Sequence, residues 1–91
     1  MPQVKTILEC WAPWCGASRR MALALAALSA ELEPQTALRR INADEAPEAL
    51  GEYHVRVLPT LLFLDEHDCE VARLEGECGV FDVRLICAAT Q

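Results

Sequence analysis

The stretch Val4-Lys5-Thr6-Ile7-Leu8-Glu9-Cys10-Trp11 constrains the fold more than any other part of the chain. It is mostly apolar or β-branched, which predicts a strand. Its near-continuous apolar character suits a strand buried on both faces, which needs cover above and below. The rest of the chain supplies that cover in order. A loop, Ala12-Pro13-Trp14-Cys15-Gly16, breaks the strand. A helix is predicted from Ala17 to Leu32, because Met21, Leu25, Leu28 and Leu32 form one apolar stripe on an alanine-rich background. Glu33-Pro34-Gln35 is expected to end it. A strand over Thr36–Asn42 and a short helix over Asp44–Tyr53 follow. Leu61-Leu62-Phe63-Leu64 reads as a third strand. It turns through Asp65–Asp68 into a fourth over Cys69–Leu74. Val80–Ala89 is the last helix, with Val80, Val83 and Cys87 along one line and Phe81 and Leu85 along another. The order β-α-β-α-β-β-α predicts an α/β fold with a mixed sheet and helices on both faces.

Ninety-one residues are expected to form a single domain spanning 1–91. The chain is 53% hydrophobic and 24% charged, which fits a folded protein rather than a disordered one. Eight basic against 14 acidic residues, net −6, argues against nucleic-acid and anionic-membrane partners, whose phosphates would repel such a surface. Aromatics at 5% argue against a base-stacking platform. Met1-Pro2-Gln3-Val4-Lys5 lacks the pattern of a signal peptide, and no apolar run approaches the roughly 20 residues of a membrane span. A cytoplasmic location is therefore expected. Five cysteines are an odd number, so a framework of fully paired intramolecular bridges is excluded. In a reducing compartment a conspicuous cysteine is more often catalytic or metal-binding than structural.

Cys15 stands where a buried strand gives way to a helix. A thiol at the first turn faces unpaired backbone N–H groups and the positive end of the helix dipole. Its thiolate is stabilised there and its pKa falls. Arg19 and Arg20 would add positive potential, and Gly16 leaves the sulfur approachable. Cys15 is thus the candidate nucleophile on local grounds alone.

The run Trp11-Ala12-Pro13-Trp14-Cys15-Gly16 resembles the active-site signature of the thioredoxin family. Leu58-Pro59-Thr60 is similar to that family's cis-proline segment. Ile41-Asn42-Ala43-Asp44, Tyr53-His54-Val55-Arg56-Val57 and Gly76 also match its pattern, so the resemblance covers about residues 4 to 89. It implies a compact thioredoxin-like fold without the strand and helix that precede the active-site strand. It also implies thiol–disulfide exchange at Cys15, with Trp14, Gly16, Leu58, Pro59 and Gly76 forming the substrate-binding surface. Glu9 stands where the family carries a buried proton-shuttling aspartate.

The departures from the family are as informative. Ser18 occupies the resolving-cysteine position and Ala17 the intervening proline. A second thiol would attack the mixed disulfide and release the substrate, which a serine hydroxyl does not do at neutral pH. Ser18 can instead donate a hydrogen bond to the Cys15 thiolate or help cap the helix. Cys78, in a loop expected near the site, is the alternative resolving cysteine. Cys10, Cys69 and Cys87 read as strand, hairpin and helix residues. Cys69, Cys78 and Cys87 are spaced by nine, which fits no zinc pattern, and His54 and His67 lack partners. No metal or cofactor is predicted.

The leading expectation is a monothiol oxidoreductase that forms mixed disulfides with protein or glutathione disulfides. The alternatives are a redox-inactive thioredoxin-like binding module, or a dithiol protein in which Ser18 is an engineered replacement. An iron–sulfur carrier of the monothiol glutaredoxin type is a weaker match. Self-association is expected through the sheet edge that the absent first strand would otherwise cover.

Overall fold

The computed structural model describes residues 3–32 and 35–90. Its elements run β1 (Thr6–Trp11), α1 (Gly16–Leu32), β2 (Ala37–Asn42), α2 (Pro47–Glu52), β3 (Thr60–Leu64), β4 (Glu70–Glu75) and α3 (Val80–Ala89). The sheet order is β2-β1-β3-β4. β1 is parallel to β2 and antiparallel to β3, and β3 returns antiparallel to β4. Consecutive parallel strands need a crossover connection, which α1 provides. The short polar turn after β3 allows the β3–β4 hairpin. There Asp65 Oδ1 accepts the amides of His67 (2.8 Å) and Cys69 (3.0 Å).

The central strands are the buried ones. Ile7 through Cys10 of β1 and all of β3 are inaccessible, while β2 and β4 at the edges are partly exposed. On one face Ile7, Leu61 and Phe63 pack against Met21, Leu25 and Leu28 of α1 and Val83 of α3. On the other, Leu8, Cys10, Leu62 and Leu64 lie under Leu50 of α2 and the segment that follows it. Full burial of a side chain such as Phe63 contributes about 1.5–3 kcal/mol, so these two layers hold the sheet between its helices.

Several sequence expectations need correction, beginning with the first strand, which starts at Thr6 and not at Val4. The second helix begins at Pro47, not Asp44. Residues 43–46 are instead wound into a turn by Asn42, whose side chain accepts the Asp44 amide (2.9 Å) and whose carbonyl accepts the amides of Glu45 (3.1 Å) and Ala46 (2.9 Å). Pro47, with its fixed φ and no N–H to satisfy, then opens the helix. The fourth strand is shifted by one residue, to Glu70–Glu75, because the Asp65 turn captures the Cys69 amide. On α3 the side that carries Val80, Val83, Ile86 and Cys87 faces the core. Phe81 and Leu85 are exposed, since one sheet face can bury only one stripe of a helix. Glu33 and Pro34, expected to end the first helix, lie outside the described residues.

No helix among the described residues is long and apolar enough to cross a membrane. Among the described residues no strand or helix precedes β1, and the outer edge of β2 has no strand partner. That strand carries the exposed Arg39 and Arg40.

Candidate active site

β1 delivers the chain to one end of the sheet, and the turn Ala12–Cys15 reverses it into α1. The Cys15 amide donates to the Ala12 carbonyl (3.2 Å), and the Cys15 carbonyl accepts the Arg19 amide (3.1 Å). Cys15 is therefore the residue on which α1 starts, with its sulfur at the N-terminal end of the helix. The sulfur is 3.8 Å from the carbonyl oxygen of Leu58. The Leu58–Pro59 peptide bond is cis. Pro59 is held in turn by Gly76, whose N–H donates to its carbonyl (2.8 Å) from a left-handed backbone (φ 85°) that favours glycine.

The Cys15 thiol has a lowered pKa. The Ser18 hydroxyl is the largest cause, followed by the Ser18 amide, with smaller help from the Ala17 amide and the charge of Arg19; partial desolvation opposes them. Ser18 is fully buried, and its oxygen accepts the Ala12 amide (3.3 Å). That bond uses a lone pair and leaves the O–H hydrogen for the sulfur. One serine thus ties the loop to the helix and stabilises the thiolate.

Trp14 is 66% exposed beside the sulfur, and its Nε1 donates to Asp44 (3.1 Å). Asp44 is positioned by the Asn42 turn, so the loops after β1 and β2 are joined through side chains. Trp14, Cys15, Asp44, Leu50, Val55 and Leu58 are among the residues lining an open groove of about 440 Å³. At Gly16 a Cβ would stand 3.4 Å from Arg20 Nη1, the end of a flexible side chain.

Trp14, Cys15, Gly16, Ser18, Leu58, Pro59 and Gly76 are thus brought together. Glu9 and Cys78 make no side-chain hydrogen bond to that group among the described residues. Glu9 is fully buried in β1, directly opposite Arg40 in the register. Its Oε1 accepts Arg40 Nε (2.8 Å), and its Oε2 has no partner. Burial raises its pKa, against the hydrogen bond and charge of Arg40. Its own charge acts on Cys10. No hydrogen bond joins it to Cys15 or Ser18 among the described residues. The Arg40 guanidinium lies 4.1 Å over the Trp11 ring.

Cys78 packs against Met21, its amide 3.4 Å and its sulfur 4.0 Å from the thioether. Met21 lies about 9 Å along α1 from Cys15. The loop is anchored there by Arg20, which grips Glu77 with two bonds (2.7 and 2.8 Å). Burial raises the Cys78 pKa, with Asp82 and Glu77 adding to it. Cys10 and Cys87 are also raised by burial. Cys69 is exposed in the hairpin turn. Among the described residues no three His, Cys, Asp or Glu side chains cluster as a metal site. Asp44 and Arg40 were not singled out as site residues from sequence. The matched spacing of Glu9 and Arg40 in two parallel strands was the available signal for Arg40, but only the register makes it visible.

Comparison with known proteins agrees with this geometry. The family model described as Thioredoxin matches residues 2–82. The chain belongs to the thioredoxin family, and its fold is the thioredoxin-like α/β fold in compact form. It is 36% identical over 61 residues to the chloroplastic M-type thioredoxin of Spinacia oleracea, covering 67% of this chain and 34% of that protein. It is 32% identical over 59 residues to thioredoxin 1 of a Nostoc species, covering 65% and 55% respectively. The matched region therefore spans about a third to a half of those relatives. Among solved structures, Fasciola hepatica thioredoxin superposes with a TM-score of 0.85 at 26% identity, covering 98% of this chain and 84% of that one. The malaria parasite thioredoxin-2, at a TM-score of 0.87 and 19% identity, covers 97% of this chain and 84% of its own, and is similar in fold.

Two predictions follow from the electrostatics. Alkylation of Cys15 by iodoacetamide should rise with pH around a midpoint below the ordinary cysteine range, because the thiolate is the reacting form. In Ser18→Ala the midpoint should move up, as the largest stabilising contact is lost. Peptide-resolved rates, with circular dichroism to verify folding, measure both.

Glu9→Met should stabilise the protein at pH 8 by on the order of 1 kcal/mol or more, because a buried carboxylate is exchanged for an apolar side chain. Arg40, 40% exposed, can be solvated when its partner is removed. The folded-state pKa of Glu9 is raised, so its favourable contribution is complete below the ordinary glutamate range and is lost as pH rises through the folded value. The gain from Glu9→Met should therefore shrink at pH 4. Urea denaturation at the two pH values tests this.

Proposed function

We propose that this chain is a thiol–disulfide oxidoreductase that works through one active-site sulfur, Cys15. The observation that carries the reading is the placement of a thiol with a lowered pKa at the start of α1, beside the Leu58 carbonyl and an open groove. The Cys15 thiolate attacks one sulfur of a protein or glutathione disulfide. A Cys15–substrate bond forms, the substrate S–S bond breaks, and the second sulfur leaves as a thiolate. Trp14, Gly16, Leu58, Pro59 and Gly76 form the surface on which the substrate backbone rests. Ser18 donates to the sulfur and holds the loop, but does not resolve the intermediate. Glu9 is proposed as the buried proton acceptor, since burial favours its protonated form. Release falls to an external thiol such as glutathione, or to Cys78 after the Gly76–Gly79 loop leaves Met21. This monothiol chemistry suits a reducing, cytoplasmic setting, where small thiols are abundant.

A second reading is a binding module without turnover, in which the same groove holds a partner. It is favoured by one observation: the position that would carry a resolving thiol is a buried serine committed to the Ala12 amide. Incubation with oxidised glutathione separates the two. Intact mass and peptide mapping should find one glutathione on Cys15, released by added thiol. Absence of an adduct at Cys15 would leave the binding module. With dithiothreitol supplied as reductant to reopen the disulfide between Cys15 and the introduced thiol after each cycle, Ser18→Cys should add reduction of a protein disulfide with many turnovers, as expected also if Ser18 is an engineered replacement.

We also propose that two copies associate through the outer edge of β2, which has no strand partner among the described residues. Light scattering across the micromolar range should show a concentration-dependent mass, and a constant monomer mass would remove the proposal.

A further inference from the structure

The acidic surface of this chain predicts that acidic partners are repelled. The groove at Cys15 runs against that average. Its far wall carries Arg56, on the segment between α2 and β3 and 79% exposed. A second open hollow, lined by Leu50, Val55, Arg56, Arg73 and Glu75 among others, adjoins it, and Arg56 borders both.

Arg19, whose Nη1 donates to the Pro13 carbonyl (3.0 Å), and Arg39 have no carboxylate partner among the described residues, and neither lines this groove. The paired arginines differ in how firmly they are held. Arg20 holds Glu77 at 2.7 and 2.8 Å, and Arg73 holds Glu70 at 2.6 and 2.7 Å, each through two nitrogens. Arg84 likewise grips Glu31 with two nitrogens, at 3.1 and 2.6 Å. Arg40 is committed to the buried Glu9. Arg56 touches Glu75 through Nη2 alone, at 3.2 and 3.4 Å, long for a charge-assisted bond. Glu75 is also shared with Arg73, 3.7 Å away. The other Arg56 donors have no hydrogen-bond partner among the described residues, and Glu75, in the adjoining hollow, marks where a carboxylate can sit. At the opposite end, Asp44 is occupied by the Trp14 indole N–H.

We propose that Arg56 is a specificity-determining residue that selects extended peptide disulfides carrying an acidic side chain near the reacting cysteine. The inference rests on the oxidoreductase reading of Cys15 and names its substrate class. The peptide lies in the groove with its cysteine at Cys15, and its carboxylate displaces Glu75 from Arg56.

Two synthetic pentapeptides test it. Each has a central cysteine joined to 2-thiopyridine as a disulfide, flanked two residues away on both sides by Glu in one and by Gln in the other. The Cys15 thiolate bonds to the peptide sulfur, the peptide–pyridyl S–S bond breaks, and pyridine-2-thiolate leaves and is protonated to the thione. Transfer to Cys15 is followed by quenched peptide mapping, which separates it from reaction at the exposed Cys69. The Glu peptide is expected to react about two- to fivefold faster, the range of an exposed ion pair. That preference should fade in 1 M salt. Arg56→Gln should abolish it, and Glu75→Gln, which frees the guanidinium, should widen it; a merely structural role for the pair would move both variants the same way. Equal rates in the unaltered protein, or faster reaction of the Gln peptide as the net charge alone dictates, would overturn the inference and leave the oxidoreductase reading intact. So would an unchanged ratio in Arg56→Gln. No transfer to Cys15 from either peptide would overturn both.

Discussion

Burial of β1 on both faces is the constraint on which the rest of this structure depends. A strand with no solvent face must be sandwiched, so α1 and α3 cover one side and α2 with its following segment covers the other. The parallel pairing of β1 with β2 obliges the chain to cross over after Trp11, and the crossover is α1. The start of that helix therefore has to lie at the end of the central strand. Cys15 stands there, and the reactivity argued for it is a consequence of the sheet's order as much as of its own neighbours.

At that position the local electrostatics favour the thiolate. Amides of the first turn, the Ser18 hydroxyl and the Arg19 charge act in one direction, and the sulfur's partial desolvation is the lesser opposing effect. The other half-buried or buried thiols are different. Cys10, Cys78 and Cys87 lie in apolar surroundings that penalise their charged forms. Five cysteines with one chemical formula thus divide into one activated sulfur, three that burial quietens and one exposed in a turn. Ser18 makes the contrast sharper. By accepting the Ala12 amide it performs the structural part of a residue at that place in the helix, while its hydroxyl lacks the nucleophilicity to attack a disulfide.

Much of the architecture could be read from the chain because its signals are local. The Met21, Leu25 and Leu28 spacing, the apolar run Leu61–Leu64 and the loop around Pro13 each report on a few neighbouring residues, and each was found as an element. The second helix was read too long because Asp44 and Glu45 are acceptable first-turn residues. The Asn42 side chain and carbonyl claim their amides for a turn instead. Phe81 and Leu85 repeat at helical spacing as well as Val80 and Val83 do, and periodicity has no means of telling which line meets the sheet.

What the sequence by itself determined was the order of strands and helices, the identity of Cys15 as the thiol at a helix start, and the substitution of serine where a second thiol would stand. The first two depend on residue type and short spacing, and the third on the resemblance to the thioredoxin active-site signature. Only the tertiary structure decided which distant groups meet. It set Glu9 against Arg40 across parallel strands, Trp14 against Asp44 across two loops, Cys78 against Met21 rather than against Cys15, and Arg56 along the groove that Cys15 also lines. The reason is physical: hydrogen bonds and ion pairs act over a few ångströms, and separations of 30 to 57 residues become contacts only once the sheet register and helix packing are in place.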